Sequence, residues 1–134
     1  QNNQASINKV NGEEYLNANK TKEGVIETAS GLQYKIINSG TGKKPASTSK
    51  VLVHYRGTLI DGTEFDSSYA RGEPVELAVN QVIKGWQETL PLMTTGSKWQ
   101  IVVPSELAYG QRGASGAIGP NSTLLFDIEL IEIK

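Results

Sequence analysis

The sequence predicts an α+β fold: a curved, mostly antiparallel sheet of five or six strands wrapped around one short helix. Two observations carry this. Apolar residues alternate with a period of two over most of the chain after Gly31. A single stretch there, Asn80–Met93, switches to helical spacing, with Val82, Trp86 and Leu90 at i, i+4 and i+8 and Ile83 three residues before Trp86. One short helix cannot cover a flat sheet, so the sheet is expected to curl around it. Trp86 is the largest apolar group on that stripe. Burying a Trp hides ~150–250 Å², worth ~4–6 kcal/mol as an upper bound.

The elements follow in order. Residues 1–21 are polar and rich in Asn, a mediocre helix former. Glu13-Glu14 at one end and Lys20 at the other suit a helix dipole, so a short, marginal helix is expected here, with a disordered tail as the alternative. Gly24–Ser30 reads as a connector with strand character at Val25-Ile26. Leu32, Tyr34 and Ile36 alternate with Gln33 and Lys35, giving a strand with one buried face. After a turn at Asn38–Gly42 and a solvated loop over Lys43–Ser49, Val51–Ile60 forms the next strand, with Val51, Val53 and Tyr55 on one face. Asp61-Gly62 signals a tight turn, and Thr63–Asp66 returns antiparallel.

Pro74–Val79 is a further strand, its proline at the first position where no ladder donor is missed. The helix comes next, with Asn80 as its N-cap and Pro91 as its stop. Trp99, Ile101 and Val103 alternate up to Pro104. Ser105–Asn121, containing Gly110, Gly113, Gly116 and Gly119, is a long loop of the kind that carries function. The last strand has Leu124, Phe126, Ile128 and Leu130 on one face. Its apolar phase then shifts to Ile131 and Ile133, as a bulge or burial of both faces would require.

Composition excludes much. The chain has 134 residues, 13 basic and 14 acidic, with no basic run to meet a nucleic acid. No apolar run is long enough to span a bilayer as a helix. Cysteine is absent, which removes disulfides, thiolate nucleophiles and Cys-based metal sites. The chain begins at Gln1 rather than Met, as a processed or trimmed product would.

Nucleophilic and metal chemistry find few residues to use. The one histidine, His54, points away from the Val53/Tyr55 face and reads as a half-exposed strand residue. No nucleophile-elbow pattern accompanies it. Asp61–Asp66 lacks the glycine at position six and the late glutamate of an EF-hand loop, and the glycines after Tyr109 lack a phosphate loop's Gly-Lys-Ser/Thr ending. No metal and no cofactor is expected. What remains is a group of aromatic and branched residues. Tyr55 and Phe65 flank the hairpin, Val82, Ile83 and Trp86 start the helix, Tyr109 opens the long loop, Ile118 lies late in it, and Phe126 begins the last strand. Asp66 and Arg71 are the only charges close to them. Singly each reads as core; together they describe an apolar, aromatic-walled pocket for a small ligand.

Val-His-Tyr-Arg-Gly-Thr-Leu at 53–59, Asp-Gly-Thr-Glu-Phe-Asp-Ser-Ser at 61–68, Val-Ile-Lys-Gly-Trp at 82–86, Ala-Tyr-Gly at 108–110 and Thr-Leu-Leu-Phe-Asp-Ile-Glu-Leu at 123–130 are spaced through one domain. In this the chain resembles the FK506-binding protein family of peptidyl-prolyl cis-trans isomerases over about residues 29–134. The lead-in from Lys22 to Lys35 is similar to the bacterial branch related to macrophage infectivity potentiators. The resemblance implies an isomerase domain at 29–134, and a polar, partly helical segment at 1–28 that is the remnant of a dimerisation region. It implies catalytic roles for Tyr55, Phe65, Asp66, Tyr109 and Phe126, and substrate or inhibitor binding by Arg71, Val82, Ile83, Trp86 and Ile118. The implied partners are proline-containing peptides and unfolded proteins, and macrolides of the FK506/rapamycin type. The implied location is periplasmic or otherwise exported, with the cytoplasm as the alternative. A non-catalytic chaperone or peptide-binding module is the competing function. Two positions depart from the family: Val75 stands where an aromatic residue is common, and Ala114 where a histidine is common. Both bear on peptide preference and macrolide affinity.

Overall fold

The computed structural model describes residues 3–114 and 118–134, so Gly116 of the long loop lies outside the described residues. Strand β3 (Lys50–Leu59) is the spine. Its alternating β-branched and aromatic residues favour a pleated surface buried on one face. Val51 and Val53 are fully buried there, while Leu52 and His54 face the other way and are half-buried. On one side β3 pairs along its whole length with β7 (Leu124–Ile133). On the other side it takes two short partners. Its second half pairs with β4 (Glu64–Ser67) and its first half with β5 (Val75–Ala78). A one-turn helix α2 (Ser68–Arg71) separates those two.

Beyond β7 come β6 (Lys98–Val103), β2 (Gln33–Asn38) and β1 (Val25–Glu27), and every pairing is antiparallel among the described residues. The sheet thus has seven strands in the order β1-β2-β6-β7-β3-β4, with β5 also on β3. The expected five or six is short because the connector at Val25-Ile26 is a true strand, held in register by Ile26 opposite Tyr34. The phase shift near the carboxyl end has its cause in a register slip. Leu52 faces Glu132 while Val53 faces Leu130, so Ile131 is an extra residue on β7.

Helix α3 (Lys84–Thr89) packs on the face of the sheet that carries Val103, Leu124, Phe126 and Ile128. It is shorter than the spacing predicts. Val79–Gln81 and Leu90–Leu92 are 3₁₀ turns, and Val82 and Ile83 between them are extended. Asn80 is therefore not the N-cap; Ile83 holds that position, with φ −61° and ψ 156° and no side-chain cap. Two adjacent β-branched residues favour extended backbone and break the run. Pro91 falls in the closing 3₁₀ turn, in line with its expected role as a stop. The stripe is buried as expected: Trp86 is 4% exposed, and Leu90 and Met93 are fully covered among Val103, Leu124, Ile128 and Leu130. Gly85 permits this approach, since a Cβ there would stand 2.6 Å from Val103 Cγ1. The buried face of β2 is shorter than its alternation predicts. Leu32 is buried and Tyr34 stacks on Trp99 at 4.4 Å, but Ile36, near the end of the strand, is 43% exposed.

The amino-terminal segment is a 17-residue helix, α1 (Asn3–Asn19), longer than the marginal helix expected. It has no apolar stripe to explain its length. Ala5, Asn8, Gly12, Leu16 and Asn19 form its inner face by spacing, and Gly12 is buried. The fully buried Gln33 of β2 anchors it, donating to the Leu16 carbonyl at 2.9 Å and accepting from Asn19 Nδ2 at 2.9 Å. Tertiary contacts rather than propensity account for this helix.

Candidate functional site

The middle of β3, the hairpin strand β4, the start of α3 and the start of β7 bring four rings together. Tyr55 meets Trp86 edge to face, centroids 5.2 Å apart at 85°. Trp86 meets Phe126 at 5.2 Å and 84°, and Phe126 meets Phe65 at 5.7 Å and 88°. Edge-to-face pairs set the positive rim of one ring on the negative face of the next. The floor is covered, with Trp86 and Phe126 4% and 6% exposed, while Tyr55 and Phe65 are half-buried. A backbone without a side chain makes room for this. Gly57 pairs with Asp66 on one side and with Phe126 on the other, and a Cβ on it would lie 2.6 Å from Phe65 Cζ and 2.9 Å from Phe126 Cε1. Trp86 Nε1 is buried with no hydrogen-bond partner among the described residues. An unpaired donor of that kind costs about 1–3 kcal/mol, so the floor is not optimised for stability alone.

One polar cluster stands at the rim. The Tyr55 hydroxyl donates to Asp66 Oδ2. Arg71 Nη1 reaches Asp66 Oδ1 at 2.6 Å, and its Nη2 donates to the Tyr55 oxygen at 3.3 Å. Arg71 also lies 5.9 Å from the Tyr55 ring centroid. Asp66 Oδ1 takes a further bond from the Ser67 N–H at 2.9 Å. Burial pushes the Asp66 carboxyl up, but the bonds from Tyr55, Arg71 and Ser67 outweigh it and hold the group below the usual carboxylate range. Burial, reinforced by the Asp66 carboxylate, pushes the Tyr55 phenol up. At neutral pH the cluster is therefore a phenol, a carboxylate and a guanidinium, each in its ordinary charge state.

Helix α2 places Arg71. Ser67 caps it by accepting from the Ala70 N–H, and Gly72 ends it with φ 82°. Sequence reasoning missed this element, although Ser67 and Gly72 are a start and a stop signal for a one-turn helix. It also missed Ser68, which is fully buried. Ser68 Oγ accepts from the Tyr55 N–H at 2.7 Å and sits 2.7 Å from His54 Nδ1. His54 also stacks on Tyr69 at 4.5 Å, which matches its reading as a strand residue outside the pocket.

The remaining residues line up less tightly. Val82 and Ile83 are half-buried just before α3 and pack on the same core cluster as Trp86. The Ile83 N–H has no acceptor among the described residues, while its carbonyl accepts from Trp86 and Gln87 at 3.0 Å each. Ile118 is 8% exposed and joins the cluster. Tyr109 is 41% exposed at the entrance to the long loop. Val75 opens β5 and pairs with Val53, and Ala114 packs at the edge of the core. Cavities of about 360, 540 and 220 Å³ lie between α1 and neighbouring strands and loops, the first of them bordered by Phe126 as well. Among the described residues no group of three or more His, Asp or Glu side chains is placed to hold a metal, and no helix is long and apolar enough to cross a membrane.

A family model described as FKBP-type peptidyl-prolyl cis-trans isomerase matches residues 41–131, and a second, the domain amino-terminal to that isomerase, matches residues 1–36. The chain belongs to the FKBP-type peptidyl-prolyl cis-trans isomerase family. It is 60% identical over 122 residues to the FKBP-type 22 kDa peptidyl-prolyl cis-trans isomerase of Escherichia coli K12, covering 91% of this chain and 59% of that protein. It is 53% identical over 133 residues to Outer membrane protein MIP of Legionella longbeachae, covering 99% and 57%. Its fold superposes on the crystal structure of FkpA from Escherichia coli with a TM-score of 0.94 at 44% identity, covering 98% of this chain and 61% of that one. The chain therefore spans somewhat more than half the length of these relatives.

Proposed function

We propose that the chain is a peptidyl-prolyl cis-trans isomerase that holds proline against the indole of Trp86 while the preceding amide rotates. The observation that supports this most is the run of three edge-to-face contacts over a covered floor, with one charge cluster at the rim. Rotation of an amide meets a barrier of ~18–20 kcal/mol, and an X–Pro bond turns over unaided in ~10–100 s at 25 °C. No bond is cleaved. The planar amide is more polar than the twisted one, because resonance separates charge. An apolar surface therefore disfavours the planar ground state more than the twisted transition state, and each ~1.4 kcal/mol of difference gives tenfold in rate.

Roles follow from this. Trp86, with Val82, Ile83 and Ile118, supports the proline ring. Tyr55, Phe65 and Phe126 wall the path of the moving carbonyl. The free Ile83 N–H and the Tyr109 hydroxyl hold substrate carbonyls. Asp66 and Arg71 orient Tyr55 and move no proton. The substrates are proline-containing peptides and unfolded proteins, and macrolides of the FK506 type compete for the same surface. We assign residues 29–134 to catalysis and residues 1–28 to part of a dimerisation region. The name of the Legionella relative supports export, and we place the protein outside the cytoplasm.

A protease-coupled isomerisation assay on a proline tetrapeptide tests the activity, with and without a macrolide. Turnover that the macrolide abolishes is expected. Peptide binding without turnover would assign a chaperone-like binding module instead.

A further inference from the structure

Helix α1 grips the loop that carries Tyr109 and Ile118. Asn8 Nδ2 donates to the Pro120 carbonyl at 2.9 Å, and Asn121 Nδ2 donates to the Ala5 carbonyl at 3.3 Å. Gly12, one turn on, lies against Thr123 so closely that a Cβ would stand 2.3 Å from Thr123 Oγ1 and 3.2 Å from its Cβ. A Cβ on Gly119 would come within 3.2 Å of Asn8 Nδ2. Ala5, Asn8 and Gly12 share one face of the helix and meet 119–123, the returning stem of the loop.

That stem is tied to the other one. The Asn121 N–H donates to the Gly110 carbonyl at 2.8 Å, next to Tyr109. Asn121 is the one non-glycine residue with positive φ among the described residues, at 56°. Asn tolerates that conformation better than most residues. The Gly113 N–H donates to the Tyr109 carbonyl at 3.2 Å, and the Ala114 N–H to the Ile118 carbonyl at 2.9 Å. Asn121 is thus bonded directly to Gly110, and Pro120 stands two residues from Ile118.

We propose that α1 is a positioning element for substrate binding, with Asn8, Gly12 and Asn121 setting where Tyr109 and Ile118 stand at the aromatic site. If the helix merely added stability, loosening it would lower the melting temperature without moving the loop. The kinetic consequence rests on the isomerase reading; the structural one does not.

The test uses the full chain, as Gly12→Ala and as Asn121→Gly, the second keeping the left-handed backbone while losing the amide. Well below melting, both variants are expected to shift the amide NMR resonances of Tyr109, Gly110, Ala114 and Ile118 and to speed hydrogen exchange at the Ala114 N–H. KM for a proline tetrapeptide is expected to rise about three- to tenfold, with kcat changed less, as misplacement of a binding group predicts. Thr123→Ala added to Gly12→Ala removes the nearer of the two close atoms, Thr123 Oγ1, and is expected to restore most of both readouts. If the loop amides stay in place in both variants while the melting temperature falls, the proposal is wrong. If the wild-type protein shows no turnover, the isomerase reading fails alone, and the NMR arm still decides this one.

Discussion

Asp66 takes part in more side-chain hydrogen bonds than Tyr55 or Arg71 at the rim, and it accepts every one of them. A group so placed orients its donors. Asp66→Asn loses one acceptor atom, so Tyr55 or Arg71 must let go. Isomerase activity is expected to fall severalfold, with a kcat/KM profile that stays flat across neutral pH in both proteins. A bell tracking Asp66 would refute the orienting role. The same residue has a stability signature. Its folded pKa is depressed, so its contribution is present above ~4, the ordinary carboxylate value, and is lost as pH falls through the lower folded value. The stabilities of wild type and Asp66→Asn, measured by urea unfolding at a series of acid pH values, should therefore converge below that range. Phe65→Ala removes a half-buried wall of the aromatic site and its edge contact with Phe126, and leaves the contacts of Trp86 with Tyr55 and Phe126 in place. It should cut kcat/KM by roughly tenfold while far-UV circular dichroism stays unchanged.

At the scale of elements, Gly57 matters most for the site. Phe65 and Phe126 occupy the space a side chain there would need. Gly57→Ala should destabilise the protein by about 1–3 kcal/mol, the usual cost of overpacking, and displace Phe65 from its contact. A thermal melt with parallel activity measurement checks both. The strands were legible in the sequence because their period-two pattern matches burial on one face, and Val51, Val53, Leu124, Phe126, Ile128 and Leu130 are all buried as it predicts. Trp86 was legible for the same reason, as the largest group on a helical stripe. The limits of α3 were not, because helical spacing continues through Val82 and Ile83 although their branched side chains favour extended backbone. Arg71 was legible as a charge close to the aromatic group, but the four-residue helix that carries it is too short for periodicity to reveal. The length of α1 was illegible because its inner face is Ala, Asn and Gly, and a search for apolar stripes passes over it.

For the whole molecule, the face of the sheet that carries His54 has polar contacts of its own. Tyr69 crosses from α2 to β7, stacking on His54 and donating to Glu129 at 3.0 Å. Burial, then the bond to Glu129, pushes its phenol up to about 12. A raised folded value gives stability that is complete below the ordinary phenol pKa of ~10 and is lost as pH rises through the folded one. Tyr69→Phe should therefore flatten the loss of stability between about pH 10 and 12, followed by urea unfolding at a series of alkaline pH values.

The polar seat of α1 has a thermal consequence. Apolar association owes its strength near room temperature to water entropy and weakens on cooling. The amide-to-carbonyl bonds of Asn8, Asn121 and Gln33 draw on enthalpy and carry little heat capacity of that kind. Cold should thus tighten the hold of this helix while it loosens the oily interior, so the part of the protein that looks most like an appendage is the part built to keep its grip in chilled water.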